Sequence, residues 1–307
     1  MKPVKHIKIK ENMKVSELVE QMKDTAFNAK AIAKAVEILL EAKKEKCKIF
    51  CGMAGALVPG GMRQIIIDML KEKIIDVFVT TGANLTHDLI EALGLKHYQG
   101  SEKANDVGLY KKGYDRIYNV YMQNKVYQRL EKFFIENFEE LNAETNSEFL
   151  QNLGRLLKKN AIYNSILTAC YENKIPVFCP ALSDSGIGLM IWSMLLRKKI
   201  PKMNEYKDLA KFLDLAWYKK KAVFYVGGGV PKNYIQQAMQ FSSPALYGVQ
   251  IKVEHESFGG SSGASLKEGI SWGKLHKKAK FVDIECDATI ALPLIYAALI
   301  SKIKCKK

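Results

Sequence analysis

The chain has 307 residues, 48% of them hydrophobic, so it can bury a large core and we expect one α/β domain over residues 1–307. It lacks a run of eighteen apolar residues and its first eight residues lack a signal peptide's apolar stretch, which predicts a cytoplasmic protein without a membrane segment. The net charge is +15, but the lysines are spread along the chain outside any nucleic-acid motif, and the six cysteines lack zinc-site spacing, so neither nucleic acid nor a metal is expected.

The first part of the chain alternates helical and strand patterns. Apolar spacing predicts helices at 15–30 and 31–40, and we interpret residues 1–45 as an N-terminal helical extension. Strands at 47–51 and 75–81 flank a helix at 62–73. The next helix is predicted to open at Thr86, capped by Thr86 or Asn84.

The alternation continues to the C-terminus after a polar stretch at 94–121 whose structure the pattern does not predict. Strand and helix alternation indicates a Rossmann-like, mostly parallel sheet with helices on both faces and ligands beyond the carboxyl ends of its strands. The further helices are predicted at 126–141, 147–159, 164–172, 190–198, 205–219 and 288–302, and the further strands at 175–182, 221–226, 247–253 and 280–285.

Small or glycine-rich residues follow four of the predicted strands, at 52–61, 81–83, 182–186 and 227–229. Such loops let backbone amides approach a phosphate or ribose closely. They do not match the G-x-G-x-x-G dinucleotide fingerprint with its later acidic residue. A cofactor site and ordinary tight turns of an α/β sheet therefore both stay open at this point.

Lys274 is the strongest candidate for nucleophilic chemistry. It follows a small-residue loop, Trp272 stands two residues before it, and Glu268 six. An indole beside an amine disfavours the ammonium, which makes lysine a better nucleophile. The alternatives are a surface lysine, a core tryptophan and a solvated glutamate.

Two histidines and two aspartates are the other candidates. His87 follows a predicted strand end and His255 stands between two glutamates, although lone histidines are more often structural. Asp184 and Asp287 follow apolar strands, where a carboxylate binds ribose hydroxyls or caps a helix.

Several motifs together resemble the deoxyhypusine synthase family. Ser271-Trp272-Gly273-Lys274, with Glu268 before it and residues 287–294 after it, is similar to the C-terminal half of that family. The segments 76–81, 176–184 and 227–232 occur in the family's order and spacing, and the likeness extends from about Val15 over nearly the whole chain.

The resemblance implies an enzyme with a Rossmann-like fold, NAD as cofactor, and active sites at a dimer interface of a homotetramer. The family transfers the aminobutyl group of spermidine to a lysine of the hypusine-containing translation factor, through an imine on an enzyme lysine. Lys274 matches that lysine.

The resemblance also assigns ligand contacts to positions of this chain. For the amine substrate they are Glu268, Trp272, Gly259, Gly260, Ser261, Asn233 and His87. For NAD they are Gly55, Ala56, Leu57, Thr81, Gly82, Ala83, Asp184, Asp287 and Ala288.

This chain departs from eukaryotic members at several of these positions, and it looks more like the divergent prokaryotic branch. Ser261 and Leu189 replace aspartates, Asn233 a histidine and His87 a glutamate, while Gly55 and Ala56 replace a Ser-Asn pair. Losing carboxylates matters, because burying a polycation without counter-charges costs several kcal/mol. Two alternatives therefore stay open: transfer to a small amine such as putrescine or agmatine, as in homospermidine synthase, and a non-catalytic NAD-binding paralogue.

Overall fold

The computed structural model describes residues 1–199 and 202–304, so the last three residues of the predicted domain lie outside the described part. The chain forms two compact units. Unit 1 comprises Met1–Ala54, Lys73–Val79 and Lys211–Lys307, and unit 2 comprises Gly55–Glu72 and Thr80–Ala210. The assignment of one domain to 1–307 stays a prediction.

Helices and strands alternate along most of the chain, as the pattern predicted, but some predicted bounds were wrong. The first two helices are separated at residues 23–26, the helix predicted at 126–141 is two helices, and the strand predicted at 175–182 is only two residues long. The helices are α1 (Val15–Met22), α2 (Phe27–Lys44), α3 (Arg63–Lys71), α4 (Gly82–Ala92), α5 (Asp106–Lys111), α6 (Val126–Glu136), α7 (Phe138–Leu141), α8 (Asn146–Asn160), α9 (Ile166–Asn173), α10 (Gly186–Leu196), α11 (Glu205–Ala216), α12 (Gly229–Phe241), α13 (Glu268–Ser271) and α14 (Ala288–Lys304). The strands are β1 (Lys48–Met53), β2 (Val77–Thr80), β3 (His97–Gln99), β4 (Tyr114–Ile117), β5 (Val120–Gln123), β6 (Val177–Phe178), β7 (Lys221–Val226), β8 (Ala245–Lys252) and β9 (Leu275–Glu285).

Unit 1 is built on a parallel sheet with the strand order β2-β1-β7-β8-β9. Lys48 of β1 is in register with Lys221 of β7, and Val223 of β7 with Gly248 of β8. β7 is buried along its whole length, as expected for a strand covered on both faces. Helices α2, α12 and α14 pack against strands of this sheet, which confirms the predicted α/β class.

The predicted N-terminal extension contains one helix that belongs to the core of unit 1. In α2, Ile32, Ala35, Val36 and Leu39 recur at helical spacing and are buried. This face packs against β8 and β9, and α1 packs on both α2 and α14. None of the described helices is both long and apolar enough to cross a membrane.

Unit 2 is mainly helical. Its helix α9 packs against α3, α4 and α8, and α10 packs against α4 and α6. The polar stretch at 94–121 contributes β3, α5 and β4, and with β5 it forms a three-stranded antiparallel sheet in the order β3-β5-β4. β4 and β5 are mostly half-buried and β3 is mostly exposed, so these strands lack the apolar run that would have predicted them.

Helix α4 begins at Gly82, four residues before the predicted start, so the caps predicted at Asn84 and Thr86 are wrong. Thr81 is the cap, because its hydroxyl oxygen accepts a hydrogen bond from the Asn84 amide at 3.3 Å. The Asn84 side chain instead bonds the Val58 amide and the Thr80 hydroxyl, and the Thr86 hydroxyl donates to the Gly82 carbonyl at 2.8 Å. Both polar side chains therefore form hydrogen bonds inside unit 2 and do not cap α4.

Candidate active site

The loop that carries Lys274 leaves the carboxyl end of β8 and returns to the start of β9. Gly259 and Gly273 have φ angles of +73° and +68°, a conformation that side chains with a Cβ rarely adopt. The Lys274 amide donates to the Gly269 carbonyl at 2.8 Å. Two glycine-dependent bends and one turn of helix α13 therefore position the lysine directly before β9.

The amine of Lys274 lies over the Trp272 ring, with its Nζ 4.5 Å from the ring centroid. Partial burial lowers the pKa of Lys274, and the negative charge of Glu268 opposes that shift. The face of an indole attracts an ammonium, so the ring also stabilises the charged form. Trp272 is 54% exposed, so it is neither a core residue nor a full desolvating wall in this chain.

Two buried lysines hold the preceding loop in place. Lys252 of β8 donates to the Gly263 carbonyl at 2.5 Å, and Lys232 of α12 donates to the Ala264 carbonyl at 2.6 Å. Gln250 Nε2 lies 3.3 Å from the same Ala264 oxygen. The loop is therefore fixed by amines that reach it from the sheet and from α12.

Lys232 connects this loop electrostatically to the candidate nucleophile. Burial lowers the pKa of Lys232 to about 8, the charges of Asp283 and Glu268 raise it, and that of Lys274 lowers it. The Asp283 carboxylate accepts hydrogen bonds from the Leu266 amide and the Ser265 hydroxyl, each at 3.2 Å. These residues form one interacting cluster of charges beside the loop.

The sequence reasoning missed Lys232 and Lys252 as members of the site. A signal for Lys252 existed, because Gln250 and Lys252 stand two apart on an otherwise apolar strand and so share one face. Two polar residues on one face of a buried strand need partners, and the loop supplies them. Lys232 lacked such a signal, since α12 had not been predicted.

Lys274 and Asp287 stand at opposite ends of β9. Leu275 is in register with Ala245 and Glu285 with Lys252, and those seven steps along β8 span roughly 23 Å at about 3.3 Å per residue. The main chains of the two residues therefore do not lie side by side in unit 1. Asp287 Oδ1 accepts from the Thr289 amide at 2.7 Å and from its hydroxyl at 2.5 Å, so the carboxylate caps the start of α14.

The other predicted residues of unit 1 lie around the loop and the helix starts. Ala288 is the first residue of α14, and Asn233 is half-buried on α12. Ser261 and Gly259 are exposed, and Gly260 lies beside Glu254, whose carboxylate a Cβ at residue 260 would approach to 3.2 Å. His255 is exposed, and its Nδ1 lies 2.8 Å from the Ser257 hydroxyl.

In unit 2 the starts of two helices meet at Gly82. A Cβ at residue 82 would lie 2.5 Å from the Ser185 side chain, so only glycine fits there. Thr81 caps α4 and Ser185 caps α10. The positive ends of two helix dipoles thus point to one region, and Ala83 and Asp184 are exposed beside it.

The turn after β1 presents backbone to solvent. Gly55 has a φ of +89°, and a Cβ there would meet nothing within 4 Å. Gly55 and Ala56 are exposed, whereas Leu57 is buried. Cys47 and Cys51 are buried, and the described residues contain no group of His, Cys, Asp and Glu side chains suited to a metal ion.

His87 of α4 belongs to a chain of titratable side chains. Its Nδ1 lies 2.9 Å from His97 Nε2, and His97 Nδ1 lies 2.7 Å from Glu91 Oε1. Burial and the neighbouring His97 lower the pKa of His87 to about 4, although Glu91 opposes the shift. His87 is therefore neutral at pH 7, unlike the glutamate that the resemblance assigns to this position in eukaryotic members.

The chain is similar to known proteins over nearly its full length. The family model called Deoxyhypusine synthase matches residues 17–299. A probable deoxyhypusine synthase of Methanosarcina thermophila is 43% identical over 303 residues, covering 97% of this chain and 94% of the relative. Probable deoxyhypusine synthase 1 of Archaeoglobus fulgidus is 39% identical over 296 residues, covering 96% of each.

A solved structure supports the same fold. The crystal structure of a provisionally assigned deoxyhypusine synthase from Entamoeba histolytica superposes with a TM-score of 0.64 and covers 97% of each chain. Its sequence identity is 18%, so the likeness concerns the fold alone.

Proposed function

This chain belongs to the deoxyhypusine synthase family, a family of transferases, and we propose that it transfers an aminobutyl group from spermidine through an imine on Lys274. The acceptor in this proposal is a lysine of the hypusine-containing translation factor. The observation that carries it is the Lys274 amine, whose pKa burial lowers and which lies 4.5 Å from the Trp272 ring centroid.

Lys274 has the properties that imine chemistry requires. A lysine must be neutral to attack an electrophilic carbon, and desolvation increases its neutral fraction at a given pH. In the proposed step Nζ forms a bond to the oxidised carbon of the donor, and the bond from that carbon to the departing diaminopropane nitrogen breaks. Both hydrogens of the neutral Lys274 amine pass to the departing nitrogen, so diaminopropane leaves as an amine and the donor carbon stays doubly bonded to Nζ.

Two features of unit 2 support the binding of NAD. Helix starts bind phosphate groups because their free N–H groups and dipoles favour negative charge, and α4 and α10 start next to each other at Gly82 and Ser185. The open backbone at Gly55 and Ala56 would let a ligand approach closely. We propose that Gly55–Leu57, residues 81–83 and Asp184 contact NAD. When bound, NAD would accept a hydride from the amine donor and later return it.

For unit 1, we propose that Asp287 and Ala288 contact NAD. Both hydrogen bonds that cap α14 use Asp287 Oδ1, so Oδ2 has capacity to accept from a ribose hydroxyl. Because Asp287 stands at the far end of β9 from Lys274, it would not contact the reacting atoms.

The amine substrate would be held by Glu268 and Trp272, through a carboxylate and a π face that both attract an ammonium. Gly259, Gly260, Ser261, Asn233 and His87 complete the proposed set. The family also supports, as further parts of the proposal, a cytoplasmic homotetramer.

A second candidate acceptor is a small amine such as putrescine or agmatine. This alternative stays open because Ser261 and Leu189 stand where eukaryotic members carry aspartates.

Trapping the imine tests the proposal directly. The protein is incubated with spermidine and NAD, reduced with borohydride, digested and analysed by mass spectrometry; the aminobutyl adduct is expected on Lys274. It should disappear in Lys274→Ala and persist in Lys267→Ala, an exposed lysine of the same loop. Labelled spermidine offered with either the translation factor or putrescine then identifies the acceptor. Absence of an adduct while NAD still binds would favour the non-catalytic paralogue.

A further inference from the structure

Asp283 of β9 anchors the start of the turn that carries Lys274. Its Oδ1 and Oδ2 lie 3.2 and 3.3 Å from the Leu266 amide nitrogen, and Oδ2 also lies 3.2 Å from the Ser265 hydroxyl oxygen. An ionised carboxylate only accepts hydrogen bonds, so Ser265 must donate to it. The Ser265 hydroxyl oxygen in turn accepts from the Lys267 amide at 3.0 Å. One side chain of the sheet therefore fixes consecutive residues of the loop.

Two buried lysines favour the ionised form of Asp283. Burial raises the pKa of its carboxyl, whereas the hydrogen bonds from the loop and the charges of Lys252 and Lys232 lower it. Asp283 is in register with Gln250 of β8, two residues before Lys252. The carboxylate is thus held as an acceptor by cations that reach the same loop.

Backbone hydrogen bonds extend this anchor to Lys274. The Leu266 carbonyl accepts from the Gly269 amide at 3.0 Å, and the Gly269 carbonyl accepts from the Lys274 amide at 2.8 Å. Leu266 is only 1% exposed, so its main chain is held in the core. Three successive hydrogen bonds therefore lead from the Asp283 carboxylate to the main chain of Lys274.

The same anchor supports Glu268. The Glu268 amide donates to the Ser265 carbonyl at 3.2 Å, while the Ser265 hydroxyl is bound to Asp283. The Glu268 residue itself is exposed, so its position depends on the main chain beneath it. Its charge nevertheless acts on the Lys274 amine. Both functional side chains of the turn thus depend on the contacts that Asp283 makes.

We propose that Asp283 is a positioning residue of the transferase site, which sets the place of the Glu268 carboxylate relative to the Lys274 amine by holding Ser265 and Leu266. It acts through the loop and does not contact the substrate. A carboxylate that binds one ammonium of the donor must lie at a fixed distance from the nucleophile, so that the reacting carbon meets Nζ. The inference rests on the proposed function for the roles of these two groups, but their relative placement can be measured without a substrate.

A double-mutant cycle on the full-length protein measures that placement. The pKa of Lys274 is determined from the pH dependence of its acylation, followed by mass spectrometry. Glu268→Gln should lower this pKa in the unmodified protein, because the charge that raises it is removed. In an Asp283→Ala background the same substitution should lower it less, since the carboxylate no longer has a fixed position. Asp214→Ala, at an exposed carboxylate of α11, is the control background in which the full shift should persist.

Two milder variants separate the hydrogen bonds of Asp283 from its charge and from loss of folding. Asp283→Asn keeps an oxygen that accepts from the Leu266 amide, so it should retain most of the shift caused by Glu268→Gln. Ser265→Ala leaves the buried charges in place and removes only the hydroxyl contact. It should speed hydrogen exchange of the Lys267 amide by about tenfold, the scale of one lost hydrogen bond, and reduce the shift in part.

The consequence for the reaction is measured in enzyme whose imine formation has been confirmed. Asp283→Ala should slow formation of the Lys274 adduct by roughly 10²-fold, the scale of a small misplacement of reacting groups. Asp283→Asn should restore most of the rate. A loss of stability alone would not produce this recovery together with the change in the mutant cycle.

Two results would overturn the inference. One is a shift caused by Glu268→Gln that is as large in Asp283→Ala as in the unmodified protein, which would leave Asp283 a contribution to stability only. The other is an Asp283→Asn variant that loses the shift as completely as Asp283→Ala, because the charge and not the hydrogen bonds would then be responsible. Absence of an adduct in the unmodified protein would contradict the proposed function but leave the outcome of the mutant cycle unchanged.

Discussion

The amine of Lys274 lies over the Trp272 ring, 4.5 Å from its centroid, so the charged form of the lysine is attracted by the indole while burial opposes it. Replacing Trp272 by Leu removes an attraction of about 0.5–1 kcal/mol at such a partly exposed site. The pKa of Lys274 should therefore fall by less than about 1 unit. The check is the pH dependence of Lys274 acylation by mass spectrometry, with Trp217→Leu, another exposed tryptophan, as control. An upward shift would contradict the ring's assigned role.

Glu268 raises the pKa of both Lys274 and Lys232 through its charge. In Glu268→Gln both pKa values should fall, so imine trapping should extend to lower pH. At the same time the KM for the amine should rise, because a counter-charge is lost. Glu45→Gln, an exposed surface glutamate, should change neither quantity. A normal KM in Glu268→Gln would remove this residue from the amine site.

Gly82→Ala should destabilise the protein by about 1–3 kcal/mol, the scale of overpacking, because its Cβ would lie 2.5 Å from Ser185. Adding Ser185→Gly makes room, and glycine replaces a serine cap at a cost of only a few tenths of a kcal/mol. Urea unfolding should thus show partial rescue in the double variant. If this junction binds the cofactor, NAD affinity measured by calorimetry should fall in Gly82→Ala and recover in part in the double variant.

Lys252→Met should destabilise the protein by about 1–3 kcal/mol, since the Gly263 carbonyl loses its donor inside the protein. Hydrogen exchange should also rise at residues 259–265. Lys280→Met is the matched control on the next strand, since Lys280 is exposed and pairs with Glu41, a kind of contact that contributes less than about 1 kcal/mol. Equal effects of the two substitutions would show that Lys252 does not hold the loop.

The low pKa of His87 makes stability depend on pH. The unfolded chain protonates this residue near 6.5, but the folded protein only near 4, so the unfolded state binds more protons between these values. Stability is therefore lost as the pH falls through 6.5 towards 4, by about 2 kcal/mol between pH 7.5 and 5. His87→Gln should abolish that part of the loss in urea unfolding, and His6→Gln should retain it.

The sheet of unit 1 was predictable because its strands are nearly continuous apolar runs, and β1 and β7 appeared close to their predicted bounds. β9 begins at Leu275, five residues before its predicted start, because Lys277 and Lys278 interrupt its apolar pattern. Helix α12 was missed for a similar reason, since its start at Gly229 stands in a run of three glycines.

For the candidate site, the sequence identified Lys274, Trp272 and Glu268, but not the side chains that hold the loop and His87 in place. The relation of Trp272 to Lys274 follows from their spacing, whereas the partners of Lys252 and His97 stand 11 and 10 residues away in different elements, and only the fold brings them close. Contacts of this kind leave no local pattern, so the buried loop supports and the histidine chain had to be found in three dimensions. The roles assigned to the cofactor and amine residues stay predictions.

The parallel pairing of β1 with β7 has a consequence for synthesis of the protein. Lys48 and Lys221 are in register although about 170 residues separate them, so β1 leaves the ribosome long before its partner exists. At about 5–20 residues per second this delay is roughly 10–35 s. During that time an apolar strand edge is unprotected, and we expect nascent chains truncated before residue 221 to depend on chaperones for solubility.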